Sequence, residues 1–212
     1  MIQVLKFTFN PFQENTYLLY DYTKECVVFD PGCQTAEEQQ RLTDVIADLK
    51  LKPVLLVNTH CHIDHVFGNK FVMERYGLEL AIHRGELPVL QSVEMVGRMY
   101  GIEVEPSPLP SVFLEEGEPL EFGESSLQIF FTPGHSPASL SFYSEADQFV
   151  IAGDVLFYES IGRTDLPGGD FTTLIKSIKT KLFTLADGVK VYSGHGPETT
   201  IGHEKKNNVF LK

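Results

Sequence analysis

The chain has 212 residues, 42% of them hydrophobic and 22% charged, proportions ordinary for a water-soluble globular protein with a core of its own. Its net charge of −12, from 17 basic against 29 acidic residues, leaves no basic field to gather phosphates, and Lys205-Lys206 is the only adjacent basic pair. Nucleic acid is therefore excluded as an expected partner. Three cysteines, Cys26, Cys33 and Cys61, form no CxxC pair and cannot all be bridged, which suits a reducing compartment. No basic-then-apolar leader follows Met1, and no apolar run approaches the ~20 residues that cross a bilayer. The expectation is a cytoplasmic protein, one domain over residues 1–212, with no membrane partner.

Strands are predicted over Ile2–Phe9, Asn15–Tyr20 and Cys26–Phe29, the last running into Asp30-Pro31-Gly32. Thr35 is a plausible N-cap for a helix to Lys50, with Leu42, Val45, Ile46 and Leu49 at helical spacing. Pro53 is expected to stop that helix ahead of a strand at Val54–Val57. A second helix is predicted over Val66–Tyr76, ending at Gly77, and a strand over Leu78–Ile82. This strand–helix alternation indicates layered α/β architecture. Residues 84–110 change texture: a helix over Glu86–Tyr100, apolar on one side, is followed by a Pro-rich return from Glu105 to Pro110. That insertion reads equally as a flap, a dimer contact or a plain connection. Strands then return at Leu120–Phe122, Leu127–Phe131, Ser139–Tyr143 and Phe149–Ile151. Asp170 caps a helix to Phe183, Val189–Tyr192 is a strand, and Ile201–Phe210 a terminal helix. Two strand-rich halves, each closing with a helix and a polar loop, suggest a pseudo-duplicated sandwich.

The chemistry concentrates in His60-Cys61-His62-Ile63-Asp64-His65, four potential ligands in six positions after an apolar run. Neutral imidazole and carboxylate are the donors that borderline first-row cations such as zinc prefer. A strand would deliver His60 and His62 to one face, turning Cys61 away to pack. Asp64 and His65 would approach from where the chain turns toward the next helix. Three more candidates repeat one context, the end of an apolar segment entering a Gly/Pro turn: His135 in Pro133-Gly134-His135, Asp154 in Gly153-Asp154, and His195 in Gly194-His195-Gly196-Pro197. Each alone would pass as a turn residue. Five histidines and two aspartates in the same setting point to metal. His83 and His203 lack that frame and are expected to be surface residues.

Thr59-His60-Cys61-His62-Ile63-Asp64-His65 resembles the HxHxDH signature of the metallo-β-lactamase fold superfamily, and Pro133-Gly134-His135, Gly153-Asp154 and Gly194-His195-Gly196 fall in its order. The resemblance runs from Asp30-Pro31-Gly32 to His195. It implies an α/β fold, an αββα four-layer sandwich, with a dinuclear site at one edge. Gly162-Arg163-Thr164-Asp165-Leu166-Pro167-Gly168-Gly169-Asp170 looks most like the short bacterial glyoxalase II-like hydrolases. Carried over residue by residue, the resemblance puts one divalent ion on His60, His62 and His135. The second would lie on Asp64, His65 and His195, with Asp154 bridging. Zinc is the first choice of metal, with iron or manganese also acceptable to such ligands. The implied catalytic groups are Asp64 and Asp154, with a metal-bound hydroxide as nucleophile.

The implied activity is hydrolysis of a small-molecule thioester of the lactoylglutathione kind, by a monomer or homodimer. An alternative of the same fold is a persulfide dioxygenase, with one iron on the positions matching His60, His135 and Asp154. Asp30 is a candidate to orient a ligand histidine from behind. Arg163 and Asp165 are expected to pair and hold the loop, and Tyr158 to touch substrate or pack.

Overall fold

In the structure, a computed structural model describing residues 1–212, the alternating amino-terminal segment forms β1 (Gln3–Phe9), antiparallel to β2 (Glu14–Tyr20). Asn10 (φ 51°) and Gln13 (φ 57°) make the turn between them in the left-handed region. β3 (Glu25–Phe29) pairs antiparallel with β2. Helix α1 (Ala36–Asp48) follows, its first turn closed by a reciprocal cap between Thr35 and Glu38, and it buries Leu42 and Ile46. It returns the chain to β4 (Lys52–Val57), parallel to β3. Pro53 lies inside this strand rather than ahead of it. It sits where the pairing with β3 shifts register, one of the few strand positions that tolerates a residue without an N–H.

The helix expected over Val66–Tyr76 is two helices. α2 (Ile63–Val66) starts three residues earlier, and α3 (Asn69–Tyr76) follows after Phe67-Gly68. The break has a local cause: Gly68 N donates to Pro31 O at 2.7 Å, and a side chain at Gly68 would collide with Cys33 and Pro31. β5 (Leu80–Ile82) is parallel to β4. A 3-10 turn at Arg84–Glu86 leads into α4 (Leu87–Tyr100), which Gly101 ends in the left-handed conformation. β6 (Val112–Phe113), parallel to β5, completes a six-stranded sheet in order β1-β2-β3-β4-β5-β6. Its core includes Leu18, Val28, Leu42, Leu56, Cys61, Leu80 and Leu90.

A second six-stranded sheet has the order β14-β13-β10-β9-β8-β7. Its strands are β7 (Pro119–Phe122), β8 (Ser125–Phe131), β9 (Leu140–Ser144), β10 (Phe149–Gly153), β13 (Lys190–Ser193) and β14 (Thr199–Thr200). A small hairpin, β11 (Leu156–Phe157) with β12 (Ser160–Ile161), follows β10. This hairpin and β14 were not expected, since two-residue strands are too short to show alternation. α5 (Phe171–Thr180), capped by Asp170, runs on only as a 3-10 turn at Leu182–Thr184, and α6 (Ile201–Asn207) stops before Phe210. Val150, Ala152, Leu174, Ile178, Val191 and Ile201 lie at this core's centre.

The chain divides into two compact units, Met1–Phe113 with Glu121–Ser125, and Leu114–Leu120 with Ser126–Lys212. No helix is long and apolar enough to cross a membrane.

One buried acid ties the first unit's separate segments. Asp21 accepts from Thr23 N and Oγ1, Glu124 N and Ser125 Oγ. Burial opposes its charge, but these donors outweigh it and bring the pKa down to about 2. A depressed carboxylate contributes stability above its unfolded pKa of about 3.9, lost as pH falls toward the folded value. Asp21→Asn is therefore expected to lower stability at pH 7 by on the order of 2 kcal/mol, and by much less at pH 2.5. Urea unfolding of both proteins at the two pH values checks this; an equal loss at both would contradict it.

Candidate metal centre

β4 ends at Val57, so His60 and His62 lie in the loop beyond the strand and not on it. They are brought together all the same. Their ring centroids are 4.8 Å apart, and His60 and His65 are 4.1 Å apart. His62 is extended (ψ 154°) and opens α2, whose four residues carry Asp64 and His65. Cys61 points away into the core, and burial pushes its thiol well above the ordinary range, which leaves it inert. Burial also takes Cys26 and Cys33 up to about 12.

Behind these ligands stands Asp30, itself buried. It accepts from Thr59 N at 2.7 Å and Thr59 Oγ1 at 2.6 Å, and its Oδ2 is 3.2 Å from His65 Nδ1. The Thr59 hydroxyl has one proton and gives it to Asp30. Toward His60 Nδ1, 3.1 Å away, it can only accept. His60 thus carries hydrogen on Nδ1, leaving the Nε2 lone pair as the donor to a cation, and His65 turns Nδ1 toward the Asp30 carboxylate. One donor atom each of Asp30, His60 and His65 falls within a 4.8 Å circle.

The second unit brings together the other three candidates. His135, at the turn before β9, places Nδ1 2.7 Å from the carbonyl of Arg163, which fixes the proton there. Its Nε2 then faces Asp154 Oδ2 at 3.4 Å, and His195 Nε2 faces the same oxygen at 3.5 Å. Asp154 follows β10 and His195 follows β13, parallel neighbours whose ends lie side by side. A neutral imidazole presenting a lone pair to a carboxylate oxygen is a repulsive arrangement in itself. A divalent cation reconciles it, and this donor set is one that zinc, iron and manganese accept. The residues therefore fit the metal that the sequence implies.

The remaining candidates take smaller parts. Arg163 and Asp165 do pair, through two 2.7 Å bonds, and Arg163 draws the exposed Asp165 carboxyl down to about 2. The Arg163 backbone carbonyl touches the candidate ligand His135. Tyr158 stacks on His203 at 5.0 Å, and His203 is 3.0 Å from Glu159. His83 caps the 3-10 turn by accepting from Gly85 N.

Sequence reasoning passed over three buried polar groups around the first loop. Asn58 and Asn69 exchange amide hydrogen bonds at 3.2 and 2.8 Å, and Glu86 accepts from Cys61 N at 2.9 Å. The only signal for Asn58 was its place just before the ligand run. Glu86 carried none, since an acid at a helix start is already explained by the helix dipole.

A sequence model described as the metallo-β-lactamase superfamily matches residues 9–195, and the chain belongs to that superfamily. It is thus a member of a class of metallo-hydrolases and carries that class's His/Asp donors for divalent metal ions. The probable metallo-hydrolase YqgX of Bacillus subtilis is 39% identical over 203 residues, covering 95% of this chain and 93% of that one. The hydroxyacylglutathione hydrolase GloC of Haemophilus influenzae is 37% identical, covering 94% and 93%. Among solved structures, BLEG-1 B3 metallo-β-lactamase superposes with a TM-score of 0.90 at 36% identity, covering all of both chains. TTHA1623 in a di-iron-bound form gives 0.89 at 36%, covering 98% of this chain and 100% of that one. ETHE1 from Myxococcus xanthus gives 0.77 at 27%, covering 99% and 83%. The α/β fold expected from the sequence is the fold of these relatives.

Gly162 gives the second unit's half-site a test. A methyl group there would be driven into the Asp154 carbonyl and against His135 Cβ. Gly162→Ala is expected to weaken metal binding by about 10–100-fold, the usual effect of disturbing ligand support. Competition for zinc against a chelator reads this directly, and wild-type affinity in the variant would contradict the geometry.

Proposed function

We propose that the protein binds two divalent ions, and that it hydrolyses a thioester of a 2-hydroxy acid of the S-lactoylglutathione kind. The observation that carries this is the convergence of His135 and His195 on one oxygen of Asp154, an imidazole–carboxylate cluster that a divalent cation would hold together. The assignment gives one ion His60, His62 and His135, and the other Asp64, His65 and His195. When bound, such a pair supplies Lewis acidity and a water acidic enough to ionise at a pH of about 7. The chain's own contribution is orientation. Thr59 and the Arg163 carbonyl hold the protons of His60 and His135 on Nδ1, and the Asp30 carboxylate faces His65 Nδ1, so that these rings present Nε2 to a metal. Asp64 and Asp154 supply the negative charge that balances the cations.

The thioester fits the residues present. A leaving thiolate with a reference pKa of about 8.5 needs little protonation, and no side chain is placed as a dedicated general acid. The similarity to the Haemophilus hydroxyacylglutathione hydrolase along nearly the whole chain supports the acyl and carrier class. Zinc is the metal we propose, with iron the alternative in view of the di-iron relative. Free, buried cysteines suit a cytoplasmic setting. A small molecule is the only partner the site calls for, acting on a monomer or homodimer.

The reading is tested by steady-state hydrolysis of S-lactoylglutathione with metal-quantified protein, His60→Ala serving as control. Turnover at two metals per chain, abolished in the variant, is the expected result. One iron per chain with no turnover would overturn it in favour of oxygen-dependent persulfide oxidation at His60, His135 and Asp154. Two metals without turnover would overturn the substrate and leave the hydrolase.

A further inference from the structure

Glu86, at the start of α4, is fully buried. An acid at the first turn of a helix ordinarily faces water, where it complements the helix dipole. Here the helix start is turned inward. Glu86 Oε2 accepts the backbone N–H of Cys61 at 2.9 Å, and Cys61 is the one residue between His60 and His62. Burying a carboxylate is costly unless it is hydrogen-bonded, so this contact sets where α4 can begin. The turn that carries it is fixed in its own right. Gly85 N donates to His83 Nδ1 at 3.0 Å, Glu86 N donates to His83 O at 2.9 Å, and the Arg84 guanidinium lies 3.8 Å from the centre of the Phe113 ring.

The other end of the 84–110 segment reaches the same loop by another route. Ser107 Oγ accepts from Asn69 Nδ2 at 2.9 Å. Asn69 is locked to Asn58 by the paired amide bonds, and Asn58 Nδ2 donates to the carbonyl of His65 at 3.1 Å. From the opposite side Asp30 holds Thr59 N. The N–H groups of residues 59 and 61 flank His60, so its backbone is gripped between two carboxylates from separate parts of the chain.

We propose that Glu86 is a positioning residue for the ion bound through His60 and His62, and that segment 84–110 is a strap fastened to the ligand loop at both ends. This rests on the metal-binding reading and extends it to a residue outside the ligand motif. The strap's ends are part of what sets the spacing of His60 and His62.

The experiment uses metal-free wild type, Glu86→Asp and Glu86→Gln, each titrated with zinc against a chromophoric chelator and melted without metal. Glutamine keeps an oxygen to accept the Cys61 N–H. Aspartate keeps the carboxylate but withdraws it by one methylene. The expected result is that Glu86→Asp weakens one of the two zinc ions by about 10–100-fold while the other is unchanged, and that Glu86→Gln binds as wild type. Wild-type affinity in Glu86→Asp would overturn the proposal. So would a loss of both ions together with a lower melting temperature of the metal-free protein, since that is general destabilisation. Loss in Glu86→Gln but not in Glu86→Asp would also overturn it, because charge and not reach would then matter. A wild type that takes only one ion would fail the dinuclear reading separately, and the effect of Glu86→Asp would then be read on that ion.

Discussion

The first unit's half-site is referred to a single carboxylate, that of Asp30. Its backbone lies in the left-handed region (φ 46°), a conformation that costs energy for a residue with a side chain and persists only when the surroundings over-determine it. They do so here. Asp30 N donates to Val57 O at 2.9 Å, and Asp30 O accepts from Thr16 Oγ1 at 2.8 Å, so the residue is pinned between β2 and β4. The reward is that one side chain reaches both the start of the ligand run and its end. Two oxygens serve Thr59 N, Thr59 Oγ1 and His65 Nδ1, and through the Thr59 hydroxyl they also decide the tautomer of His60. Two imidazoles on different backbone segments are oriented by one anion.

The second unit reaches the same end without an anion. His135 is oriented by a peptide carbonyl, that of Arg163, and the loop that carries it is held in place by close packing. Gly162 lies against the Asp154 carbonyl, and Asp165 holds the Arg163 side chain outward in a bidentate pair. The difference follows from what each ligand has behind it. The first loop backs onto the buried strand ends of the parallel part of a mixed sheet, where an acid can be enclosed and given backbone donors. The chain at Arg163 is exposed, and there a carbonyl is cheaper to supply than a buried charge.

The seven candidate ligands were legible because the physics that builds such a site leaves a compositional mark: imidazoles and carboxylates at strand ends, framed by Gly and Pro. The order of strands and helices was legible for the same reason, each long element showing its own period. α2 was not, because four residues contain barely one turn, and its separation from α3 is set by the Gly68–Pro31 contact rather than by pattern. The amide pair of Asn58 and Asn69 is a tertiary fact between residues eleven apart, with no local trace. Glu86 shows a deeper limit. Its residue type at a helix start has a sufficient local explanation, so nothing in the sequence asks for another, and only its burial shows that it faces the ligand loop.

Burial alone does not give a carboxyl group a role at the metal loop, and Glu14 makes the distinction. It is as enclosed as Glu86, and it lies beside Asp30, yet its Oε1 is 4.0 Å from His65 Nδ1, beyond hydrogen-bond reach, while Asp30 is at 3.2 Å. Its Oε2 lies 2.9 Å from the Thr16 hydroxyl, whose one proton is already given to Asp30 O. Burial pushes its pKa well above the ordinary carboxylate range, against the pull of His65 and with the push of Asp30. Asp30 and Glu86 differ from it in meeting backbone N–H groups of the ligand run itself. Glu14 is better described as polar packing under the turn: the space beside Gly32 is filled by its carboxyl, by Asn10 and by the Asp64 carbonyl, which is why that position in Asp30-Pro31-Gly32 has no side chain. The groups that govern the metal loop are therefore those with a donor from the loop's own backbone, and proximity to a ligand is not a sufficient criterion.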